Sequence, residues 1–143
     1  MYVKDAMTTK AEYISPDSSL RKAAKTMQDL DCGFLPVSDE KGEKLIGVIT
    51  DRDIAIRGVA SGLDPEKSKV TEILSSHTLF CFADDALENA ADSMRKKGVH
   101  RLIVLSDRDE KKLLGIISLG DIFRHNNDTL GSNVARDIYK KAA

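Results

Sequence analysis

Two heptapeptides in this chain have the residue types and spacing of a small-molecule site: Gly47-Val48-Ile49-Thr50-Asp51-Arg52-Asp53 and Gly115-Ile116-Ile117-Ser118-Leu119-Gly120-Asp121. Each sets a hydroxyl behind a glycine and an apolar pair, with a carboxylate three positions further on. An apolar strand pattern passes into a helical one at that point, so Thr50 and Ser118 fall at or just before helix N-termini. Backbone N–H groups and the positive end of the dipole favour an anionic group there, and a hydroxyl adds a hydrogen bond. The aspartate lies one helical turn on, toward the same mouth, where a carboxylate accepts both hydroxyls of a ribose. Gly47 and Gly115 leave space for another backbone or a ligand to approach. A purely structural role fits the same residues: Thr50 and Ser118 as N-caps, Asp53 and Asp121 as first-turn acids that compensate the dipole.

Other chemistry has less support. His77, His100 and His125 show neither H-E-x-x-H nor Cys/His ligand spacing, so no metal site is expected. Cys32 and Cys81 form no C-x-x-C pair and sit among apolar residues, as buried, reduced thiols do. There is no Ser-His-Asp order and no Walker lysine motif, which leaves a hydrolase built on Asp53 or Asp121 without a recognisable apparatus; no catalytic residue is expected. Arg52, within the first motif, and Arg57 and Arg124, which follow the motifs, fall on helices and read as solvated. The clusters Arg21-Lys22, Arg95-Lys96-Lys97 and Lys111-Lys112 are matched by nearby acids and read the same way.

The elements that must position the heptapeptides come in duplicate. A shift of 67 residues lays Val3–Asp39 on the second half without a gap, bringing Leu20 onto Leu87, Met27 onto Met94 and Val37 onto Val104. One extra residue then makes the offset 68, at which Asp53-Ile54 meets Asp121-Ile122. In each copy an apolar helical stripe (Leu20, Ala23, Ala24, Met27, Leu30; then Leu87, Ala90, Ala91, Met94) precedes two short strands and a second helix. A further short strand is expected around Glu12 to Ile14 and Thr78 to Phe82. The expected division is residues 1–60 for the first repeat, 61–69 for a linker, 70–126 for the second repeat and 127–143 for a tail. Val134, Ile138 and Tyr139 predict a short amphipathic helix in that tail, docked on the module or on a second subunit.

Composition agrees with a folded, soluble domain pair. The 143 residues carry 22 basic and 23 acidic side chains, 41% hydrophobic residues, 9 Gly and 3 Pro. Balanced charge argues against a nucleic-acid partner, which selects a basic excess. No apolar run reaches the ~20 residues that cross a bilayer, and the N-terminus lacks a signal-peptide core, so a cytoplasmic protein without a membrane partner is expected.

The leading segment Val3-Lys4-Asp5-Ala6-Met7-Thr8, the strand Gly33-Phe34-Leu35-Pro36-Val37 and the two heptapeptides together resemble the cystathionine beta-synthase (CBS) domain pair, or Bateman module. Both heptapeptides fit that family's Gly-apolar-x-Ser/Thr-x-x-Asp signature, and the resemblance spans about residues 2–126. The second copy departs from the pattern at Ile103, where the first has Pro36. Its leading segment Val70-Thr71-Glu72-Ile73-Leu74-Ser75 also lacks Met-Thr. The resemblance implies an α/β (α+β) fold of two tandem CBS units, each a small sheet with two helices, related by pseudo-two-fold symmetry. It implies a regulatory ligand that contains adenosine (AMP, ADP, ATP, NAD or S-adenosylmethionine), held in the cleft between the repeats, and an unidentified partner protein that the module regulates.

Carried over residue by residue, Asp53 and Asp121 hold ribose, and Thr50 and Ser118 lie near phosphates. Ser15, Leu20, Gly33 and Phe34 frame adenine in the first site. His100 and Arg101 stand where nucleotide-sensing members, such as the gamma subunit of AMP-activated protein kinase, place basic phosphate ligands; a solvated strand start is the other reading of that pair. The repeat alignment assigns them to the Thr50–Asp53 site, which is then expected to prefer phosphorylated ligands, while the Ser118–Asp121 site is weaker or takes a neutral tail. Family members pair as homodimers, and the surplus of apolar residues at Ile54, Ala55, Val59, Ile122 and Phe123 agrees. A structural dimerisation unit without ligand, or a nucleotide-hydrolysing enzyme, are the alternatives.

Overall fold

Helix α2 (Leu20–Leu30) forms because Leu20, Ala23 and Met27 return to one face, which is buried, while Ser19 caps its start by accepting from the Lys22 N–H at 3.0 Å. Its stop is Asp31, in the left-handed region at φ 51°. Helix α3 (Leu87–Lys97) repeats the pattern with Leu87, Ala90, Ala91 and Met94 and stops on Gly98 at φ 68°, the residue that meets this conformation without steric cost. The computed structural model that shows these elements describes residues 1–75, 79–125 and 128–142.

The chain folds as two packed units, one made of Glu12–Thr78 and the other of Met1–Ala11 with Leu79–Ala143. The second of these carries a four-stranded sheet in the order β1 (Thr8–Thr9), β6 (Leu113–Ser118), β5 (Arg101–Leu105), β4 (Phe80–Phe82), with only the β4–β5 pair parallel. The Glu12–Thr78 unit pairs β2 (Phe34–Ser38) with β3 (Leu45–Thr50). Single bridges extend this pair on both sides, Ile14 parallel to Val37 and Ser75 antiparallel to Val48. The correspondence is position by position: Thr8 opposes Ile116 as Ser75 opposes Val48.

Packing units and sequence repeats are therefore offset. The leading segment, with the short helix α1 (Val3–Ala6), completes the sheet built from the second repeat's strands, and the 3₁₀ turn Val70–Glu72 with Ser75 completes the first repeat's. Gly115 and Gly47 explain the exchange. The Thr8 carbonyl occupies the space a β-carbon on Gly115 would need, and a β-carbon on Gly47 would stand 2.9 Å from the Ser75 carbonyl oxygen. Of the two reasons for a glycine here, close approach of another backbone is the one realised.

Each unit has its own core. Leu20, Leu35, Val37, Ile49, Val70 and Ile73 lie together in one, and Val3, Leu87, Met94, Leu102, Val104 and Ile122 in the other. The tail forms the 15-residue helix α5 (Asp128–Ala142), which buries Val134 in the second core. A half-buried ion pair at 2.8 Å, Arg95 Nε to Asp137 Oδ2, ties α5 to α3.

The helix after the first heptapeptide departs from expectation. Asp53–Val59 is wound as a π-helix, with Ala60 N–H donating to the Ala55 carbonyl at 3.0 Å and Leu63 N–H to the Gly58 carbonyl at 3.1 Å, both five residues back. Gly58 is buried there, and a β-carbon on it would lie 3.0 Å from Leu20 Cδ1. The counterpart, α4 (Leu119–Arg124), is an ordinary short α-helix.

Candidate functional site

Thr50 ends β3 opposite Phe34. Its hydroxyl accepts from the Asp53 N–H at 3.0 Å, and its own N–H donates to Asp53 Oδ2 at 3.0 Å. This is a reciprocal capping box, so the structural role foreseen for the pair is present. It consumes one carboxylate oxygen only; among the described residues nothing engages Asp53 Oδ1, and the side chain is half-buried.

Ser118 ends β6 opposite Arg101. Its N–H and its hydroxyl both donate to Asp121 Oδ2, at 2.8 and 3.0 Å, and the Asp121 N–H donates back to Ser118 Oγ at 3.2 Å. Asp121 differs from Asp53 in two respects. It is only 4% exposed, and its Oδ1 accepts from the Arg124 guanidinium. Arg124, expected to be merely solvated, is thus the counter-ion of a buried carboxylate.

The residues expected to frame adenine are placed unequally. Ser15 lies in the loop before α2, where its hydroxyl accepts from the Asp17 N–H at 3.2 Å. Phe34 is half-buried at the strand start. Leu20 is 0% exposed and lies in the core with Ile49 and Val70, because the first helical residue points inward here. Gly33 serves a neighbour, since a β-carbon on it would lie 2.5 Å from Asp51 Oδ2. Asp51 in turn donates its N–H to the Gly33 carbonyl at 3.0 Å.

His100 and Arg101 are both exposed, and Arg101 Nη1 donates to His100 Nε2 at 2.9 Å. Desolvation of the ring, and secondarily the Arg101 charge, hold the His100 pKa below the ordinary histidine value. The imidazole is therefore a neutral acceptor for its neighbour, and the permanent positive charge of the pair resides on Arg101.

One further residue was not singled out by type or spacing. Ser18 is buried, and its hydroxyl has no hydrogen-bond partner among the described residues. It lies in the loop before α2; no residue-type signal marks it, because serines in such loops are ordinarily turn formers. Cys81 is buried, and desolvation followed by the Asp85 charge pushes its thiol up to about 12, whereas Cys32 is half-buried. Among the described residues, no cluster of His, Cys, Asp or Glu is placed to hold a metal, and no helix is long and apolar enough to cross a membrane.

With this geometry in view, the family model for the CBS domain matches residues 3–58 and 70–128. The chain belongs to the CBS-domain family. Among its relatives, the CBS domain-containing protein YhcV of Bacillus subtilis is 34% identical over 132 residues, covering 91% of this chain and 90% of YhcV. Among solved structures, Hypoxic Response Protein I with two coordinated zinc ions superposes with a TM-score of 0.77 at 31% identity, covering 87% of this chain and 98% of the other. The CBS domain pair of protein MJ0100, solved with 5'-methylthioadenosine and S-adenosyl-L-methionine, superposes with a TM-score of 0.70 at 28% identity, covering 90% of this chain and 98% of that pair. The mixed α/β architecture described above is the CBS-pair fold, and CBS pairs of this kind include ligand-binding members.

Proposed function

We propose that this CBS pair is a non-catalytic regulatory module that binds an adenosine-containing ligand, of the class AMP, ADP, ATP, NAD or S-adenosylmethionine, and thereby alters the activity of a partner protein. The observation that carries the reading is the state of Asp53. Its carboxylate is held in place by the Thr50 cap through one oxygen, while the other is uncommitted and only half-buried. A preorganised acceptor of this kind suits a ribose hydroxyl. The adenosine compounds carried by the related MJ0100 pair support the choice of ligand class. Ser15, Gly33 and Phe34 are proposed to border the adenine, with Thr50 and Ser118 near phosphates. His100 and Arg101 are proposed as the polar pair that meets a phosphate tail, with Arg101 supplying the charge.

Regulation then follows from differential affinity. A ligand shifts a partner only to the extent that it binds one arrangement of the module better than another. A homodimer is proposed as the working assembly, because Ile56 and Val59 on the π-helix are 52% and 60% exposed and gain from burial against a second copy. The same surface would equally serve a structural dimerisation unit. Titration calorimetry with AMP, ATP, NAD and S-adenosylmethionine separates the two: saturable binding of at least one supports the regulatory reading, and heat-silent titrations with all four, on a protein shown to be folded, contradict it.

A further inference from the structure

Position 124 distinguishes the two motif copies. At the offset of 68 residues the counterpart of Arg124 is Ile56, so the arginine that engages Asp121 has an aliphatic equivalent beside Asp53. We propose that Arg124 is a specificity-determining latch, which closes the Ser118–Asp121 motif to the ribose of an uncharged nucleoside and leaves the Thr50–Asp53 motif as the nucleoside-binding one, the reverse of the sequence expectation that the Ser118–Asp121 site takes a neutral tail.

A carboxylate that caps its own helix start has one oxygen left for a ribose. At Asp53 that oxygen has no partner among the described residues; the nearby Arg57 is exposed and makes no ion pair with it. At Asp121, Oδ2 accepts from the Ser118 N–H and hydroxyl, Oδ1 accepts from Arg124, and the side chain is only 5% exposed. Arg101, the other cation near Ser118, does not compete for this carboxylate, because its guanidinium is turned to His100. A neutral ribose would have to displace a charge-assisted hydrogen bond to reach Asp121 and brings no charge to replace it. Arg124 itself is well exposed, with 70% of its side chain accessible, so its release needs no repacking. The winding differs in the same sense: on α4 the side chain three residues on stands over Asp121, whereas a π-wound turn places successive residues at another angle around Asp53.

This inference rests on the adenosine-ligand reading above, and adenosine itself is the probe that separates the two. Calorimetric titrations of adenosine into the wild-type protein, Arg124→Ile, Arg124→Gln and Arg124→Ile/Asp53→Ala read the number of sites per chain. The Asp121 cap survives both Arg124 substitutions, since Ser118 still satisfies Oδ2. The expected result is one equivalent for wild type and two for each single variant, with the second site tightened about tenfold or more by the freed oxygen. One equivalent is expected for the double variant. Two equal sites in wild type, or an unchanged single site after both Arg124 substitutions, would overturn the latch while leaving the ligand reading intact. Adenosine binding by none of the four proteins would overturn the latch, while the titrations with AMP, ATP, NAD and S-adenosylmethionine decide the ligand reading separately.

Discussion

The carbonyl oxygen of Thr8 fills the place that a side chain on Gly115 would occupy. A strand from the extreme N-terminus can lie along β6 only because position 115 has no β-carbon. Since Thr8 is held by backbone pairing to Ile116, it cannot retreat as the tip of a flexible side chain would. Gly115→Ala is expected to cost about 2–4 kcal/mol, as overpacking against fixed backbone does. Gly62→Ala, at φ 82° with nothing within 4 Å of the added carbon, is the control and is expected to cost only about 1 kcal/mol. Urea denaturation of both variants checks the difference, and equal losses would contradict the close-approach account.

Two buried serines in the Glu12–Thr78 unit should respond oppositely to truncation. Ser38 is 0% exposed, and its hydroxyl donates to the Lys44 carbonyl at 3.1 Å, so Ser38→Ala is expected to cost about 1–2 kcal/mol. Ser18 hides a hydroxyl without a partner, so Ser18→Ala is expected to leave stability unchanged or raise it by up to about 1 kcal/mol. Thermal melts of the ligand-free protein report both, and a clear loss in Ser18→Ala would show that its hydroxyl is satisfied.

The repeat was legible because it rests on apolar periodicity, which selects helix and strand directly. The helices at Leu20–Leu30 and Leu87–Lys97 and the strands that follow them stand where the spacing of Leu, Ala and Met puts them. Three features were not legible. The exchange of leading segments depends on a contact between residues more than a hundred positions apart, Thr8 and Gly115, and no local pattern encodes it. The π-winding at Asp53–Val59 accompanies a close seat of Gly58 against the buried Leu20, a contact between distant residues that no local pattern encodes. The Arg124–Asp121 pair has the spacing of countless solvated surface pairs, and it matters only because Asp121 is buried.

The two thiols should differ in reactivity. Thiolate is the reactive form, and burial first, then the Asp85 charge, push the Cys81 thiol up to about 12, so it stays protonated at pH 8. Native-state alkylation with iodoacetamide at that pH is expected to modify the half-buried Cys32 well before Cys81, with both reacting in denaturant. Preferential labelling of Cys81 in the folded protein would contradict its placement.

His100 should titrate below the ordinary histidine value of 6.5, held down by ring desolvation and then by the Arg101 charge. Because the folded state disfavours the proton, the associated stability is complete above pH 6.5 and is lost as the pH falls from there toward the folded-state value. NMR titration of the imidazole C–H signals should show Arg101→Ala moving the midpoint upward without reaching 6.5, since desolvation is the larger cause. A full return to 6.5 would show that the arginine alone is responsible. If Arg101 also meets a phosphate, the same variant weakens AMP binding and leaves adenosine binding unchanged.

The central claim is that Asp53 is a ribose acceptor and more than a helix cap, and calorimetric titration of the tightest-binding adenosine ligand into wild type and Asp53→Ala tests it most directly. The substitution also removes the acceptor for the Thr50 N–H, which costs about 1 kcal/mol of stability, so the titration is run well below the melting temperature of the variant. Losing a charge-assisted contact predicts affinity reduced about ten- to a hundredfold in a folded protein. Unchanged affinity in a folded Asp53→Ala would contradict the account.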